Sequence, residues 1–165
     1  MSAILTPAAT YALQGRIAND RLRNQTEKAD QLLDEKEKLS KLLDMMGDRK
    51  GFWPSKQDLA ALRDAAGPLN GMDGNTFSES KFTWNGKDGN FAHQDWKDNK
   101  ECEANARAWD EMMKTVQRAM DRVSTKLEKI NSGLEITKAE LEDAVSRENK
   151  AYTKADAIMK ELRNG

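Results

Sequence analysis

Residues 113–162 read MKTVQRAMDRVSTKLEKINSGLEITKAELEDAVSRENKAYTKADAIMKEL, and an apolar repeat within them decides the fold. Steps of alternately three and four residues give a set of positions that we call the C-terminal seam. Thirteen of the fifteen are apolar, whereas the residues between them are mostly charged or polar. This repeat is typical of a long helix that packs one narrow stripe against a partner helix. The seam consists of Met113, Val116, Met120, Val123, Leu127, Ile130, Leu134, Thr137, Leu141, Ala144, Glu148, Ala151, Ala155, Ile158 and Leu162.

A second repeat of the same kind, the N-terminal seam, precedes it in residues 8–46. Nine of its twelve positions are apolar, and many are alanine, so a partner helix can approach closely. Thr6 and Pro7 predict that this helix begins after a short tail, and Gly47 predicts its end. The seam consists of Ala8, Tyr11, Gly15, Ala18, Leu22, Gln25, Ala29, Leu32, Lys36, Leu39, Leu43 and Met46.

Asn131, Ser132 and Gly133 interrupt the C-terminal repeat with residues that often end a helix. The seam nevertheless keeps its phase from Ile130 to Leu134, which a loop would usually shift. We therefore expect a weakened or bent helix at this point, and a single helix over 100–163 would be roughly 96 Å long. The alternative is a hairpin turn that makes two shorter helices.

The insert between the seams, residues 47–94, has a different character. Residues 47–57 are predicted to form a connector. Ser55, within it, caps a predicted short helix near 56–66, and Gly67 and Pro68 end that helix. Five glycines follow in 67–94, and residues 81–86 (KFTWNG) predict a small β-hairpin. We expect the aromatic residues of this region to form a small core against the helices, with exposure for binding or subunit contact as the alternative. They are Trp53, Phe77, Phe82, Trp84, Phe91 and Trp96.

Together these patterns predict a mainly all-α protein, a long antiparallel helical hairpin or coiled coil with a glycine-rich irregular insert. We expect one elongated domain over 1–165. Its parts are an N-terminal helix at 8–46, the insert at 47–94 and a C-terminal helix at 95–163.

Charge and composition exclude several classes of function. The 27 basic and 28 acidic residues give a net charge of −1, which offers no general attraction to nucleic acid or to an anionic membrane. No apolar run approaches the roughly 18 residues of a membrane span. The N-terminus lacks the basic start and apolar stretch of a cleavable secretory signal. We therefore expect either a cytoplasmic protein or one that leaves the cell by a route that needs no such signal.

Residues suited to catalysis or metal binding are few. Cys102 is the single cysteine and His93 the single histidine, so neither a disulfide nor a histidine metal pair is available. The Asp- and Asn-rich stretches 70–79 and 85–90 lack the ligand spacing of a calcium-binding EF-hand, and turn formation explains them. The sequence predicts that the protein is not an enzyme and has no catalytic residue, metal or cofactor.

We expect function to depend instead on the seam residues that pack helices together. The candidate coiled-coil and assembly residues are Leu22, Leu32, Leu39, Leu43, Met113, Val116, Met120, Val123, Leu127, Ile130, Leu134, Leu141, Ile158 and Leu162.

Two long terminal helices around an irregular insert resemble the filament and tip proteins of bacterial type III secretion, especially the EspA-like needle-extension family. The local resemblance is in residues 141–152 (LEDAVSRENKAY), followed by the apolar residues Ala155, Ile158, Met159 and Leu162. The resemblance implies that the terminal helices pair within a subunit and that subunits stack into a hollow filament with the insert outside. It also implies a secretion chaperone and needle or translocator proteins as partners, and a virulence role.

Two other functions stay open at this point. One is a cytosolic helical adaptor or chaperone that binds a partner helix through its seam. The other is a substrate of a WXG-type secretion system, because Tyr152 and Asp156 match the short Tyr-x-x-x-Asp pattern of such substrates.

Overall fold

The structure, a computed structural model, describes residues 2–47, 55–72, 75–82 and 100–164. Three α-helices form it: α1 (Ser2–Gly47), α2 (Lys56–Ala66) and α3 (Lys100–Asn164). A 3₁₀ helix, Glu79–Lys81, is the one further helical element of the described ranges, which contain no strand. The two long helices α1 and α3 pack together, which confirms the predicted all-α helical hairpin.

The start of α1 differs from the prediction, because the helix begins at Ser2 and includes Pro7. Proline removes one hydrogen bond from the helix to the carbonyl four residues before it. This loss falls close to the helix end and does not stop the helix. The Thr6 carbonyl accepts a hydrogen bond from Oγ1 of Thr10 at 2.9 Å, so Thr6 lies within the helix instead of capping it. Gly47 is the last described residue of α1, and the residues after it lie outside the described residues.

The long helix α3 continues through Asn131, Ser132 and Gly133. The alternative of a hairpin turn is therefore wrong. A glycine in a helix costs about 1 kcal/mol relative to alanine, an amount that tertiary packing readily offsets. The predicted beginning of this helix at residue 95 lies outside the described residues.

The short helix α2 matches its prediction at both ends. The Ser55 hydroxyl accepts a hydrogen bond from the Asp58 backbone N–H at 3.1 Å, and the Asp58 carboxylate accepts one from the Ser55 backbone N–H at 3.0 Å. This reciprocal pair is a capping box, which satisfies two backbone donors at the helix start. Leu59, Leu62 and Ala66 lie on one face of α2 and are buried.

The chain divides into two compact units. Unit 1 contains Met1–Gln31 and Leu127–Gly165, and unit 2 contains Leu32–Lys126. The predicted single elongated domain is not tested by this division and stays a prediction.

Unit 2 has a core of large apolar side chains drawn from α1, α2, α3 and the insert. Phe77 and Phe82 of the insert belong to this cluster, as their predicted packing role requires. The other four aromatic residues of that prediction lie outside the described residues, and so does most of the predicted β-hairpin, whose first residue, Lys81, is instead in the 3₁₀ helix. The fully buried members include Leu39, Leu42, Met46, Leu59, Leu62, Phe77, Met112 and Val116.

Gly71 shows why the insert needs glycine at a particular turn. Its φ angle is 83°, in the left-handed region that other residues rarely adopt. The Arg122 guanidinium would also lie 3.5 Å from an added Cβ atom. Any other residue at this turn would be strained.

We predict that Leu59→Ala lowers the free energy of unfolding by about 2–5 kcal/mol, because Leu59 is 0% exposed and its loss leaves a cavity in the unit 2 core. Chemical denaturation followed by circular dichroism measures this change. The matched control is Leu33→Ala, at a leucine that is 51% exposed, and it should change stability by less than about 0.5 kcal/mol. Equal effects of the two substitutions would contradict the assignment of the core.

Candidate functional site

In unit 1 the helices α1 and α3 run antiparallel in a register that two contacts define. The Arg147 guanidinium lies over the Tyr11 ring at 5.8 Å from its centroid, and Gln25 lies against Gly133. From Tyr11 to Gln25 the numbering rises by fourteen residues, and from Arg147 to Gly133 it falls by fourteen. Residues at equal distances from these contacts therefore lie at the same level of the pair.

The interior of unit 1 is made of small side chains. Its buried apolar residues are alanines except for one leucine, Leu127. An added Cβ on Gly15 would meet the Cβ of Ala144 at 3.8 Å, which is an ordinary contact distance. Small residues let the two helix backbones approach closely. The buried alanines are Ala8, Ala18, Ala29, Ala144 and Ala155.

Half of the large apolar side chains of unit 1 whose burial is described face solvent. Tyr152 is 46% exposed and Ile136 is 62% exposed, whereas the seam residues Ala155 and Thr137 near them are buried. This arrangement is the reverse of unit 2, whose large residues form the core. The exposed large residues of unit 1 are Leu13, Ile17, Ile136, Val145, Tyr152, Ile158 and Leu162.

Heptad positions separate the two sides of this helix pair. We write each seam as positions a and d, with Ala8 and Leu127 at position a. Helical geometry then places the e and b positions of both helices along one side, the e side, and the g and c positions along the other, the g side. An ion pair supports the assignment, because Arg21 and Glu140 are both g residues and their side chains meet at 3.1 Å.

The g side carries the exposed isoleucines Ile17 and Ile136 at c positions, together with charged residues. Arg147 binds Asp143 on its own helix at 3.0 Å and lies over the Tyr11 ring within cation–π range. Hydrogen bonding to Tyr11, followed by hydrogen bonding and charge attraction to Asp143, raises the pKa of the Arg147 guanidinium. Arginine is already protonated at any physiological pH, so these contacts introduce no pH switch.

A shallow cleft also lies on the g side, with a volume of about 280 Å³. Its lining residues are Gln14, Ile17, Ala18, Arg21, Glu140, Asp143 and Ala144. Pockets for small molecules are mostly apolar and usually range from roughly 300 to 1,000 Å³. The cleft is shallow and lies below this range of volumes, so it is a poor candidate for a small-molecule site.

The e side carries the apolar residues Ala12, Val145 and Tyr152. Val145 is 45% exposed, and the register places it opposite Ala12. Charged b residues flank these positions: Arg16 and Arg23 on α1, and exposed glutamates on α3. The e side therefore combines a small apolar centre with charged edges, which is typical of a surface that contacts another protein.

Gln25 is the polar residue of the N-terminal seam that contacts a glycine of α3. Its Oε1 atom is buried and has no hydrogen-bond partner within the described residues. An added Cβ on Gly133 would lie 3.2 Å from Gln25 Nε2, closer than most real contacts. Gly133 thus provides the space that the Gln25 amide occupies, and together they favour one register of α1 against α3.

The structure divides the predicted seam residues between the two units. Leu39, Val116, Val123 and Leu127 are buried, whereas Ile158 is 37% and Leu162 72% exposed. In the observed register Ser2 is level with Asp156, so the described part of α1 has no residue level with Ile158 or Leu162. The remaining predicted residues are half-buried, and their predicted role in assembly stays a prediction. They are Leu22, Leu32, Leu43, Met113, Met120, Ile130, Leu134 and Leu141.

Sequence reasoning did not select Val145 and Tyr152 as candidate residues. Its signal was the a and d repeat, and both residues lie at e positions beside that repeat. The sequence did contain a signal for them, because Val145 and Tyr152 are spaced seven residues apart beside an alanine-rich seam. It was informative because small seam residues leave the neighbouring positions exposed.

No helix in the described ranges is long and apolar enough to cross a membrane. Among the same residues, no group of three or more His, Cys, Asp or Glu side chains is arranged to hold a metal ion. Comparison of the chain with known protein families, curated proteins and solved structures gives no match.

We predict that Gly15→Ala raises the free energy of unfolding by about 0.5–1 kcal/mol and the melting temperature by about 2–4 °C. The added methyl group meets Ala144 at an ordinary distance and the helix gains an alanine. Gly133→Ala should raise the free energy of unfolding by less, because its added methyl group displaces the Gln25 side chain. Thermal unfolding measures both changes.

Gly133→Ala, made in a chain that already carries Gln25→Ala, tests whether the Gln25 amide is what limits the stabilisation. Gly133→Ala should then recover the stabilisation that Gly15→Ala shows, because the displaced amide is absent. If Gly133→Ala has the same effect with and without Gln25, the contact between Gln25 and Gly133 has no energetic role.

Proposed function

We propose that this protein is a structural protein without catalytic activity, whose copies assemble through the two-helix unit 1. The observation that carries the proposal is the placement of side chains in that unit, where the buried apolar residues are alanines and one leucine while seven large apolar residues are exposed. A protein that worked as a monomer would gain stability from the opposite placement.

The energy of burial supports this interpretation. Complete burial of a valine, leucine or isoleucine side chain contributes about 1.5–3 kcal/mol, and an alanine contributes much less. Val145 and Ile136 are about half exposed or more, so much of their apolar surface still faces water within one chain. Contact with another copy would remove that surface from water.

We further propose that the assembled form is an extracellular filament or tip of a bacterial type III secretion system. The resemblance of the C-terminal helix to the EspA-like family supports this part, together with the pairing of the two terminal helices. The protein would be secreted without a cleavable signal, and its partners would be other copies, a secretion chaperone and needle or translocator proteins.

The alternative function is a cytosolic adaptor or chaperone that offers unit 1 to a helix of another protein. The two functions predict different behaviour of the purified protein. A self-assembling protein forms particles that grow with its concentration, and electron microscopy and light scattering detect them. An adaptor stays a monomer or a small dimer of constant size.

We predict that Val145→Asp combined with Tyr152→Asp reduces the assembled fraction at least about tenfold, because it places charge on exposed apolar residues of unit 1. Sedimentation across a concentration series measures this fraction, and circular dichroism should show unchanged helix content. The matched control is Leu33→Asp at an exposed leucine of unit 2, which should leave assembly intact.

Leu134→Asp and Leu141→Asp act differently, because both leucines are half-buried within the helix pair. We expect these substitutions to abolish assembly and also to lower the stability of unit 1. A wild-type chain that remains monomeric at every concentration would refute the assembly proposal, and so would normal assembly of the Val145 and Tyr152 variant.

The secretion part of the proposal has a separate test. An epitope-tagged chain is expressed in a bacterium with an active type III apparatus and in an isogenic strain without the export ATPase. We expect the protein in the culture supernatant of the first strain only. Equal amounts in both supernatants, or none in either, would refute the secretion proposal while leaving the assembly proposal standing.

A further inference from the structure

The e side of unit 1 carries two rows of opposite charge on its outer edges. The α1 row consists of Arg16 and Arg23, and the α3 row consists of Glu142 and Glu135, all of them exposed b residues. Each row has the heptad spacing of seven residues, so its two charges lie on the same edge of their helix. One edge of the e side is therefore basic and the other acidic.

The register places these charges at matching levels. Arg16 is five residues after Tyr11, and Glu142 is five residues before Arg147, the residue that contacts Tyr11. Arg23 and Glu135 are each twelve residues from the same contact. Within one chain the two rows lie on opposite outer edges of the helix pair and point away from each other.

We propose that the e side of unit 1 is the contact surface for a second copy of this chain, related by a two-fold axis parallel to the helices. This inference rests on the proposed self-assembly and identifies the surface that mediates it. Rotation about that axis lays α1 of one copy over α3 of the other. Arg16 and Arg23 then face Glu142 and Glu135 of the second copy, twice in each dimer.

The apolar centre of the e side fits the same packing. Ala12 and Val145 lie within one residue of the same level in one chain, so the rotation brings Ala12 of each copy close to Val145 of the other. One level further along, Asn19 faces Lys138 of the second copy, a contact of two polar side chains. Adjacent helices of the four alternate in direction, as in an antiparallel four-helix bundle.

The charge pattern also indicates where the contact ends. The next pair of b residues beyond Arg23 and Glu135 is Asp30 and Glu128, which are both acidic. Like charges at this level oppose further packing. The contact therefore covers about 9–23 of α1 and 135–152 of α3.

Self-complementarity favours a second copy over a different protein as the partner. An isologous contact needs a surface whose features match themselves after a two-fold rotation. The basic row and the acidic row meet this requirement because they lie at equal levels on the two helices. Glu135 also reaches Lys138 on its own helix at 3.7 Å, an exposed pair that can rearrange at little cost.

Two charge-reversal variants test the proposal. The acidic variant carries Arg16→Glu and Arg23→Glu, and the basic variant carries Glu135→Arg and Glu142→Arg. In the proposed dimer each variant repels itself at four charge pairs but attracts the other variant at all four. We expect each variant alone to self-associate at least about tenfold more weakly than the wild type. An equimolar mixture should associate again as a heterodimer.

A control separates the specific contact from general attraction between oppositely charged proteins. Asp20→Lys with Glu27→Lys shifts the net charge as much as the basic variant does, but it acts at f positions, which point away from both sides of the pair. Because its e side is unchanged, this control should self-associate like the wild type. It should pair with the acidic variant more weakly than the basic variant does, because two of the four charge pairs in that mixed dimer repel. Analytical ultracentrifugation of each protein and each mixture, at about 50 and 300 mM salt, measures these results, and salt should weaken the rescued contact.

The outcomes distinguish this inference from the proposed function. If the wild type assembles and the acidic and basic variants assemble equally well, the e side is not the contact surface, although self-assembly stands. Association of the acidic variant with the f-position control as strong as with the basic variant would likewise overturn the inference. A wild type that is monomeric at every concentration overturns both proposals.

Discussion

Close approach of α1 and α3 through small side chains is the constraint on which unit 1 depends. Gly15 and Ala144 meet where larger residues would force the helices apart, and Ala8 and Ala18 are buried on the same face of α1. A narrow separation leaves little interior volume. Exposed apolar residues such as Val145 and Tyr152 lie beside the seam, where another chain can cover them.

The predictability of the fold from sequence varied with the kind of signal. Heptad periodicity gave both long helices and their pairing, and the capping residues of Ser55 and Asp58 gave α2 at both ends. Local signals for helix ends were less reliable. Pro7 and Gly133 both lie inside helices, because the packing of a long amphipathic helix outweighs one missing hydrogen bond or one glycine.

The candidate surface was harder to predict than the fold, for a physical reason. Periodicity identifies residues that face a partner helix, but it does not distinguish a core of leucine from a seam of alanine that leaves its neighbours exposed. Val145 and Arg16 gain significance only from the register between α1 and α3. That register comes from contacts such as Gln25 with Gly133, which a list of heptad positions does not contain.

The two units suit different tasks because their interiors differ. Unit 2 buries Phe77, Leu59 and Met112 and so has the apolar burial that stabilises an independent core. Unit 1 buries little apolar surface and keeps charged and apolar residues on its outside. Contacts built from exposed ion pairs and a few apolar residues are individually weak, and their strength grows when many copies make them at once. A chain with one stable core and one weakly self-complementary helix pair can therefore stay folded before assembly and still assemble reversibly.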